Sequence, residues 1–536
     1  MTTWLERMAA KTANTEPGTV PADSGDAKFG IKQLVQYIEE NYHLGRSSEG
    51  LMFAYPRSER EPRMAVEIRS MRRTLTRTLW RDKGIALGKD TIASALAVAE
   101  GIAEAKDPEH VAIRAAVRGE QVFIDLGDET GRVVRVTANG WRVEDPSPEH
   151  PLFRRTAAQH PLPEPIKGGT RDILRGMLRL DADDYRWHLA YGWLVSSVFA
   201  DVSRPILWAT GPQGSGKSTR ARMLINVIDP RPALGGQPGK NEKDDSTVVK
   251  ARFLASWDNI SSVSQAVSDW FCRLVTGGED GRRQLFSDDE FRAASIQRTG
   301  IATSIYLPPG LRNDATERLV IVPFERMPDS ARASETALWE EYENARPAML
   351  GALLDDISGV LRYRREAASQ SRTRPRMADH ADILAALDMA TGDAREPFRR
   401  AYCEMIGSAL ADKALDDPFT LAVLETVALA GGEWTGTAKD LLQQATERYR
   451  ANDADMRLPH WWPTSPRAVA AQLAAASESL KHAGVRYERL PKTRSGVPYR
   501  LTAEKELNVD VEASRPVRDP ADERNAAARI FEQSHG

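Results

Sequence analysis

The sequence predicts an α/β protein built on a P-loop nucleotide-binding core. A small α+β domain precedes that core, and a helical domain ending in a winged helix follows it. Three observations carry this. Residues Pro205 to Ile228 read PILWATGPQGSGKSTRARMLINVI, an apolar strand that breaks into a glycine-rich loop and enters a helix. Apolar stretches of strand character recur at Val248 to Asn259, Gly300 to Pro308 and Leu319 to Pro323. Outside that stretch the pattern changes, to strand alternation from His110 to Glu144 and to helices followed by a basic hairpin after Asp379.

At 536 residues the chain is too long for one core, and domains of roughly 100–200 residues imply three or four units. Its 73 Lys plus Arg against 76 Asp plus Glu leave a net charge of -3, so any affinity for nucleic acid must come from local patches. The only cysteines, Cys272 and Cys403, are far apart and lack CxxC spacing. That argues for a reducing compartment and against a disulfide framework or a structural zinc. No apolar run approaches the roughly 18 residues of a membrane span, and the N-terminus has no apolar signal segment. The expectation is a soluble cytoplasmic protein with no membrane partner.

In chain order, residues 1–28 read as a flexible leader rich in Thr, Pro, Ala, Gly and Asp. An N-terminal α+β domain is expected over 29–165. It opens on a helix with Ile31, Leu34, Val35 and Ile38 on one face. Between Arg57 and Lys89 ten basic residues face four acidic ones. A solvated helix face and a phosphate-contacting surface both fit such a run. The ATPase core is expected over 166–361. It begins with a helical stretch, Thr170 to Ala200, whose Trp187 and Trp193 fit a core better than a ligand.

The chemistry of the P-loop follows from its residues. Gly211, Gly214 and Gly216 permit backbone angles that turn successive N–H groups inward, and with Ser215, Thr219 and the helix N-terminus they form a cradle for phosphate oxygens. Lys217 would reach the β- and γ-phosphates of ATP, and the Ser218 hydroxyl would ligate Mg2+. An ordinary βα turn is the alternative, but it leaves Lys217 without a purpose. Asp258 ends the next apolar run, where a Walker B carboxylate belongs and would hold the metal opposite Ser218; a strand-terminal turn aspartate is the other reading. The residue after it is Asn259, not the glutamate that would polarise water. Glu279 and Asp269 are the candidates left for that role. The stretch from Thr276 to Phe286 reads as a hairpin with Arg282 and Arg283 near its tip, and the next strand carries Thr303 and Ser304 within reach of a γ-phosphate.

Walker A, a Walker B ending in Asp-Asn, the Thr276-Gly277-Gly278 segment, a sensor strand and Asp314-Ala315-Thr316-Glu317-Arg318-Leu319 follow in compact order. The set resembles the superfamily 3 and poxvirus-type primase-helicase ATPases of phages, plasmids and integrated elements. A group of actinobacterial mobile-element ATP-binding replication proteins is similar too, including over RPAMLGALLDDISGVL (Arg346 to Leu361). The resemblance covers His110 to Leu361 well. It implies an AAA+-like core in a homo-oligomeric ring, commonly a hexamer, with nucleotide between neighbouring subunits. It also implies sensor 1 at Thr303, where these proteins usually carry Asn, and an arginine finger at Arg318 with Arg298 as second choice. By the same resemblance Arg282 and Arg283 would grip DNA in the central channel.

Residues 362–377 carry six arginines and read as a basic interdomain linker. The remaining domain, 378–505, is expected to hold helices at Pro418 to Leu429, Thr437 to Tyr449 and Arg467 to His482, the last capped by Ser465 with Pro466 first in the helix. Strands Val485 to Leu490 and Val497 to Leu501 then complete a winged helix. Arg486, Arg489, Lys492, Arg494 and Arg500 against Glu488 suit a phosphate backbone, although winged helices also bind proteins. The alanine-rich third helix offers few base-reading side chains. Residues 506–536 read as a flexible tail.

These readings combine into an ATP- and Mg2+-dependent DNA helicase or replication initiator of a phage or mobile element, acting on single-stranded or forked DNA. No priming centre is visible upstream of the P-loop, so priming would need a separate primase. A non-translocating ATP-binding switch or origin-binding protein with weak hydrolysis is the rival. A small-molecule kinase fits less well, because the flanking domains exceed a compact kinase unit.

Overall fold

The computed structural model describes residues 29–58, 61–239, 249–283, 291–308, 310–328, 334–370, 374–451, 457–459, 461–493, 496–504 and 507. The leader, the tail apart from Leu507, residues 284–290 and Arg494 therefore lie outside the described residues. The chain divides into two units, 1–402 and 403–536.

The first unit begins with α1 (Ile31–Asn41), β1 (Tyr42–Ser47), β2 (Met52–Pro56) and β3 (Met64–Glu67), then α2 (Arg72–Lys83) and α3 (Lys89–Glu104). Leu34 and Ile38, one turn apart on α1, are buried, as their spacing predicts. With β4 (Pro108–Glu109), β5 (Val111–Ala112) and β10 (Leu152–Arg154) these strands form a six-stranded sheet in the order β4-β1-β2-β3-β10-β5. A second, antiparallel sheet holds β6 (Ala115–Arg118), β7 (Gln121–Asp125), β8 (Val133–Thr137) and β9 (Gly140–Glu144).

After α4 (Arg171–Leu178) and α5 (Tyr185–Ser197), a parallel sheet is laid down by β11 (Ile206–Thr210), β12 (Leu254–Trp257), β15 (Thr299–Ser304) and β16 (Leu319–Pro323) in the order β12-β15-β11-β16. Every residue of β11, β12 and β15 is buried, which is why these strands read as continuous apolar runs without alternation. Trp187 and Trp193 are buried core residues. The helices between the strands are α6 (Lys217–Asn226), α7 (Gln265–Thr276) and the short α8 (Asn313–Thr316). Strands β13 (Glu279–Arg283) and β14 (Phe291–Ser295) form an antiparallel hairpin between α7 and β15. The strand expected over Val248 to Asn259 is shorter than its apolar run. Val249 and Lys250 are helical, and Asp258 leaves the sheet because its N–H bonds to the Gly235 carbonyl.

Helix α9 (Glu335–Gln370) is 36 residues long, about 54 Å at 1.5 Å per residue. It leans on α6 through Tyr342, whose hydroxyl donates to the Met223 carbonyl at 2.6 Å, and through Arg222, which lies over the Trp339 ring at 3.7 Å. Further along, the antiparallel sheet grips it: Trp141 Nε1 donates to Asp355 at 2.8 Å, and Ser358 Oγ donates to the Thr137 carbonyl at 2.7 Å. Pro347 sits between these two sets of contacts. The basic linker expected over 362–377 is corrected at its first half, since α9 continues to Gln370. No Gly or Pro interrupts it there, and Arg364 and Arg365 are tied to Asp201 and Glu120 at 2.9 and 2.6 Å. The start of the last domain moves as well. Helix α10 (Ala378–Thr391) packs on α9 and α5, with His380 Nδ1 2.9 Å from Ser196 Oγ, so it belongs to the first unit. Helix α11 (Pro397–Asp416) contains the division between units.

The second unit runs α12 (Pro418–Leu429), β17 (Glu433–Thr437), α13 (Ala438–Tyr449), α14 (Pro466–Ala475), α15 (Ser477–His482), β18 (Val485–Arg489) and β19 (Pro498–Ala503). Its core gathers Phe419, Trp434, Leu441, Trp462, Val469, Leu473 and Leu501. Ser465 caps α14 by accepting from the Ala468 N–H, with Pro466 first in the helix. Two expectations change here. The segment between the first two helices forms β17, so the sheet is three-stranded in the order β17-β19-β18, and the single helix expected over Arg467 to His482 breaks at Ala476 into α14 and α15.

Two glycines in helices test this packing in opposite directions. A Cβ on Gly351 of α9 would stand 1.8 Å from the Ile166 carbonyl oxygen, whereas one on Gly101 of α3 would meet nothing within 4 Å. Gly351→Ala is expected to destabilise the first unit by roughly 1–3 kcal/mol through overpacking. Gly101→Ala is expected to stabilise it by about 0.5–1 kcal/mol. Urea unfolding midpoints of the two variants, moving in opposite senses, check both.

Candidate functional site

At the C-terminal edge of the parallel sheet, β11 ends at Thr210 and the chain turns through Gly211 (φ 148°), Gly214 (φ 79°) and Gly216 (φ 70°) into α6. These angles are strained for any residue with a Cβ. At Gly211 and Gly216 space is short as well. A Cβ on Gly211 would stand 2.2 Å from the Phe324 carbonyl oxygen, and one on Gly216 would stand 2.9 Å from the Met327 methyl carbon. The loop is bonded to its surroundings on both sides: Gly211 N–H donates to the Ile305 carbonyl at 3.0 Å, and Met327 N–H donates to the Gly214 carbonyl at 3.3 Å. The segment Phe324 to Met327, just after β16, thus lies against the glycine loop. It was not read as part of the site from the sequence.

Lys217 is the first residue of α6 and Ser218 the second, with Thr219 after them; all three are half-buried. Lys217 has no ion-pair partner among the described residues. Ser215 is fully buried, and its Oγ has no hydrogen-bond partner among the described residues. Behind the loop, buried Arg220 donates to the Ser215 carbonyl at 2.9 Å and lies 4.8 Å from the centre of the Phe324 ring. Burial, with Arg186 and Arg179 nearby, lowers its pKa to about 10, still cationic at neutral pH. A helix N-terminus beside the Lys217 ammonium is an arrangement that suits an anion.

Opposite the loop stands Asp258. Its Oδ1 accepts from Ser218 Oγ at 2.8 Å and from Thr303 Oγ1 at 2.5 Å, while Thr303 Oγ1 accepts the Asn259 N–H at 2.9 Å. Thr303 reaches both because β15 lies between β11 and β12. Asp258 Oδ2 has no hydrogen-bond partner among the described residues, so a free carboxylate oxygen lies beside a hydroxyl. Two hard oxygen donors suit Mg2+, which takes one or two protein ligands in phosphate sites. No cluster of three or more His, Cys, Asp or Glu that could cage a metal occurs among the described residues. Asn259 has φ 55°, the left-handed region that Asn tolerates far better than Glu, which gives a backbone reason for the residue after Asp258.

A buried ion pair holds the Asp258 side in place. Asp229 and Arg231 are both almost fully buried. Asp229 Oδ2 pairs with Arg231 and accepts the Leu254 N–H at 3.0 Å; Arg231 also donates to the Leu254 carbonyl at 2.8 Å and to Ser256 Oγ at 3.0 Å. Ser256 Oγ in turn accepts from Gly235 N–H, and the Gly235 carbonyl accepts from Asp258 N–H. The sequence carried no signal for this network, since its members look like ordinary loop charges.

Other expected residues lie away from this cluster. Arg318 precedes β16 at the opposite edge of the sheet, about 16 Å from the loop at 3.3 Å per residue over the five-residue strand. It is buried, bonded to the Asp314 carboxylate at 2.6 Å and to the Asp314 carbonyl at 2.5 Å, and its Nε has no partner among the described residues. Arg298 pairs with Glu49 at 2.7 Å. Asp269, a candidate for water activation, is paired with Arg312 at 3.2 Å. Glu279, Arg282 and Arg283 lie in β13; the register sets Arg282 opposite Arg292 and Arg283 opposite Phe291. Ser304 accepts from Trp208 Nε1 at 2.7 Å and donates to the Tyr306 carbonyl, so its hydroxyl is committed within the core. In the second unit Arg486, Arg489 and Lys492 are exposed. Arg500 sits 3.6 and 3.7 Å from Glu433 and Glu488, so the strand missed in the sequence brings an extra carboxylate to this sheet and reduces its positive excess.

Among the described residues no helix is long and apolar enough to cross a membrane. Two family models match the chain, actinomycete integrative conjugative element replication protein over residues 174–406 and the C-terminal domain of the same replication proteins over 419–515. The gap between the two matches falls within or beside α11, near the division into units. Among curated proteins none matches. Among solved structures, the apo A form of the NrS-1 C-terminal region is 12% identical, with TM-score 0.40 over 88% of this chain and 98% of that one. The X-ray structure of JCV helicase is 14% identical, with TM-score 0.20 over 41% of this chain and 60% of that one.

The Asp229–Arg231 pair predicts an asymmetric mutational response. Asp229→Ala strands a buried guanidinium and is expected to cost about 3–5 kcal/mol, whereas the double variant Asp229→Leu/Arg231→Met is expected to recover most of that loss. A double-mutant cycle on urea unfolding measures both.

Proposed function

We propose that this chain, matched over residues 174–406 and 419–515 by the models for actinomycete integrative conjugative element replication proteins, is a replication protein of that kind and an ATP- and Mg2+-dependent DNA motor, a replicative helicase of the element. The observation that carries the reading is the meeting of Ser218, Asp258 and Thr303 beside a strained glycine loop at the head of α6. ATP would bind with its phosphates on the N–H groups of Gly214 to Ser218, and the free Lys217 ammonium would balance the β- and γ-phosphate charge. Ser218 and Asp258 are the residues to hold Mg2+, which when bound supplies charge neutralisation at the β- and γ-oxygens. Thr303 keeps the Asp258 carboxylate aimed and would act in the sensor role through that carboxylate. This arrangement supports an AAA+-like core of the superfamily 3 type.

Arg318 cannot serve the phosphates of its own subunit from the far edge of the sheet, which favours action on a neighbour's ATP in a ring, commonly a hexamer. To do so it would exchange Asp314 for phosphate. Arg282 and Arg283, which lie in β13, would meet the backbone of a DNA strand in the channel. The helix-strand-helix-helix-helix-strand-strand order of the second unit supports a winged helix, whose exposed Arg486, Arg489 and Lys492 would add phosphate contacts, together with Arg494.

One observation favours a second reading. Asn259 stands where a water-polarising acid would serve, which fits an ATP-loaded switch with weak hydrolysis. ATP turnover with and without single-stranded DNA separates the two. DNA-stimulated turnover, lost in Lys217→Ala and reduced by on the order of 10³-fold in Arg318→Ala, is the expected result. Inactive Lys217→Ala protein should also poison mixed assemblies. Tight ATP binding without turnover, whatever DNA is added, would leave the switch.

A further inference from the structure

We infer that the outward face of α2 is a binding site for single-stranded DNA, with Trp80 as the stacking platform and Arg73 and Arg77 as the phosphate contacts. This face lies outside both family matches, and the inference rests on the proposed work on DNA. Helix α2 buries Leu75, Thr78 and Leu79 and turns its other side to solvent. Trp80 is 63% exposed, the most exposed of the described tryptophans, although tryptophan ordinarily hides its ring. At 100° per residue Arg73, Arg77 and Trp80 fall within about 60° of one another, the two arginines about 6 Å apart along the axis and Trp80 about 4.5 Å beyond.

The charges on this face are not arranged for the helix itself. Arg73 and Arg77 are like charges at i,i+4, a spacing that weakens a helix. The first turn holds Arg72 and Arg73 and no acid, the reverse of what the helix dipole favours. Their neighbours are neutralised: Arg69 pairs with Glu100 and Arg81 with Asp82, each at 2.6 Å. Arg72, Arg73 and Arg77 have no carboxylate partner among the described residues. Thr76, exposed beside the ring on the side away from the arginines, is the nearest other exposed residue of this face, which therefore carries no large aliphatic side chain. Unpaired cations flanking an open aromatic ring suit a polyanion whose bases are free to stack, which a duplex does not provide.

The test uses the full chain. A fluorescent oligothymidine and its duplex counterpart measure affinity by anisotropy, and a 5-iododeoxyuridine oligonucleotide marks contacts by photo-crosslinking and peptide mapping. A cross-link on Trp80 is expected. Trp80→Ala should bind the single strand roughly tenfold more weakly and Trp80→Phe nearly as well as the native chain. Arg73→Ala/Arg77→Ala should lower the slope of log K against log salt by about 1.4. Cross-links only elsewhere together with unchanged Trp80→Ala affinity, equal weakness of the Phe and Ala variants, or a change in oligomeric state without a change in DNA affinity would each overturn the assignment. Binding of a fluorescent ATP analogue is read in parallel. Its absence from the native chain would sink the motor reading while the cross-link still decides this one.

Discussion

One carboxylate oxygen organises the site. Asp258 Oδ1 accepts from Ser218 at the head of α6 and from Thr303 on β15, so three segments forty or more residues apart in sequence converge on one atom. That convergence depends on strand order. Were β12 paired directly with β11, Thr303 would lie outside the pair and the carboxylate would lose a donor. The buried hydrogen bonds also gain strength from their surroundings, since Thr303 is fully buried and little water competes there.

The glycine loop is held open from without. Phe324 and Met327 occupy the space that side chains at 211 and 216 would need, and Arg220 ties the loop carbonyl at 215 to the Phe324 ring. The loop conformation at Gly211, Gly214 and Gly216 is thus held by packing, so an anion that bound there would not have to order the loop first. On the other side, Asp229 and Arg231 hold the backbone of β12 and the Gly235 turn, which fixes where Asp258 leaves the sheet.

Much of this could be read from residue order. The strand and helix flanking the glycines, the buried strand at Leu319–Pro323, the core position of Trp193 and the Ser465-Pro466 helix start all depend on local pattern, and the structure has them there. What stayed hidden depends on partners distant in sequence. Phe324 and Met327 look like any residues after a strand until the loop is seen beneath them. Strand β17 is a five-residue EWTGT segment among glycines, and only pairing with β19 makes it a strand. The arginines after Leu361 looked like linker because charge hid their helical propensity, and their partners Asp201 and Glu120 lie well over a hundred residues upstream. At Asn259 the surprise was conformational: a left-handed backbone, not chemistry alone, constrains the residue there.

Helix α9 touches both α6, which follows the glycine loop, and the N-terminal antiparallel sheet. From Tyr342 on Met223 to Ser358 on Thr137 is sixteen residues, about 24 Å of helix. A rod clamped at two points cannot let one clamp move without loading the other. Any displacement of α6 must therefore break the Tyr342 contact, drag the antiparallel sheet, or flex the rod between them. Pro347 lies in that span and cannot donate to the Glu343 carbonyl, so bending is cheapest there. The helix therefore joins the two regions as one rod whose backbone ladder is interrupted at Pro347.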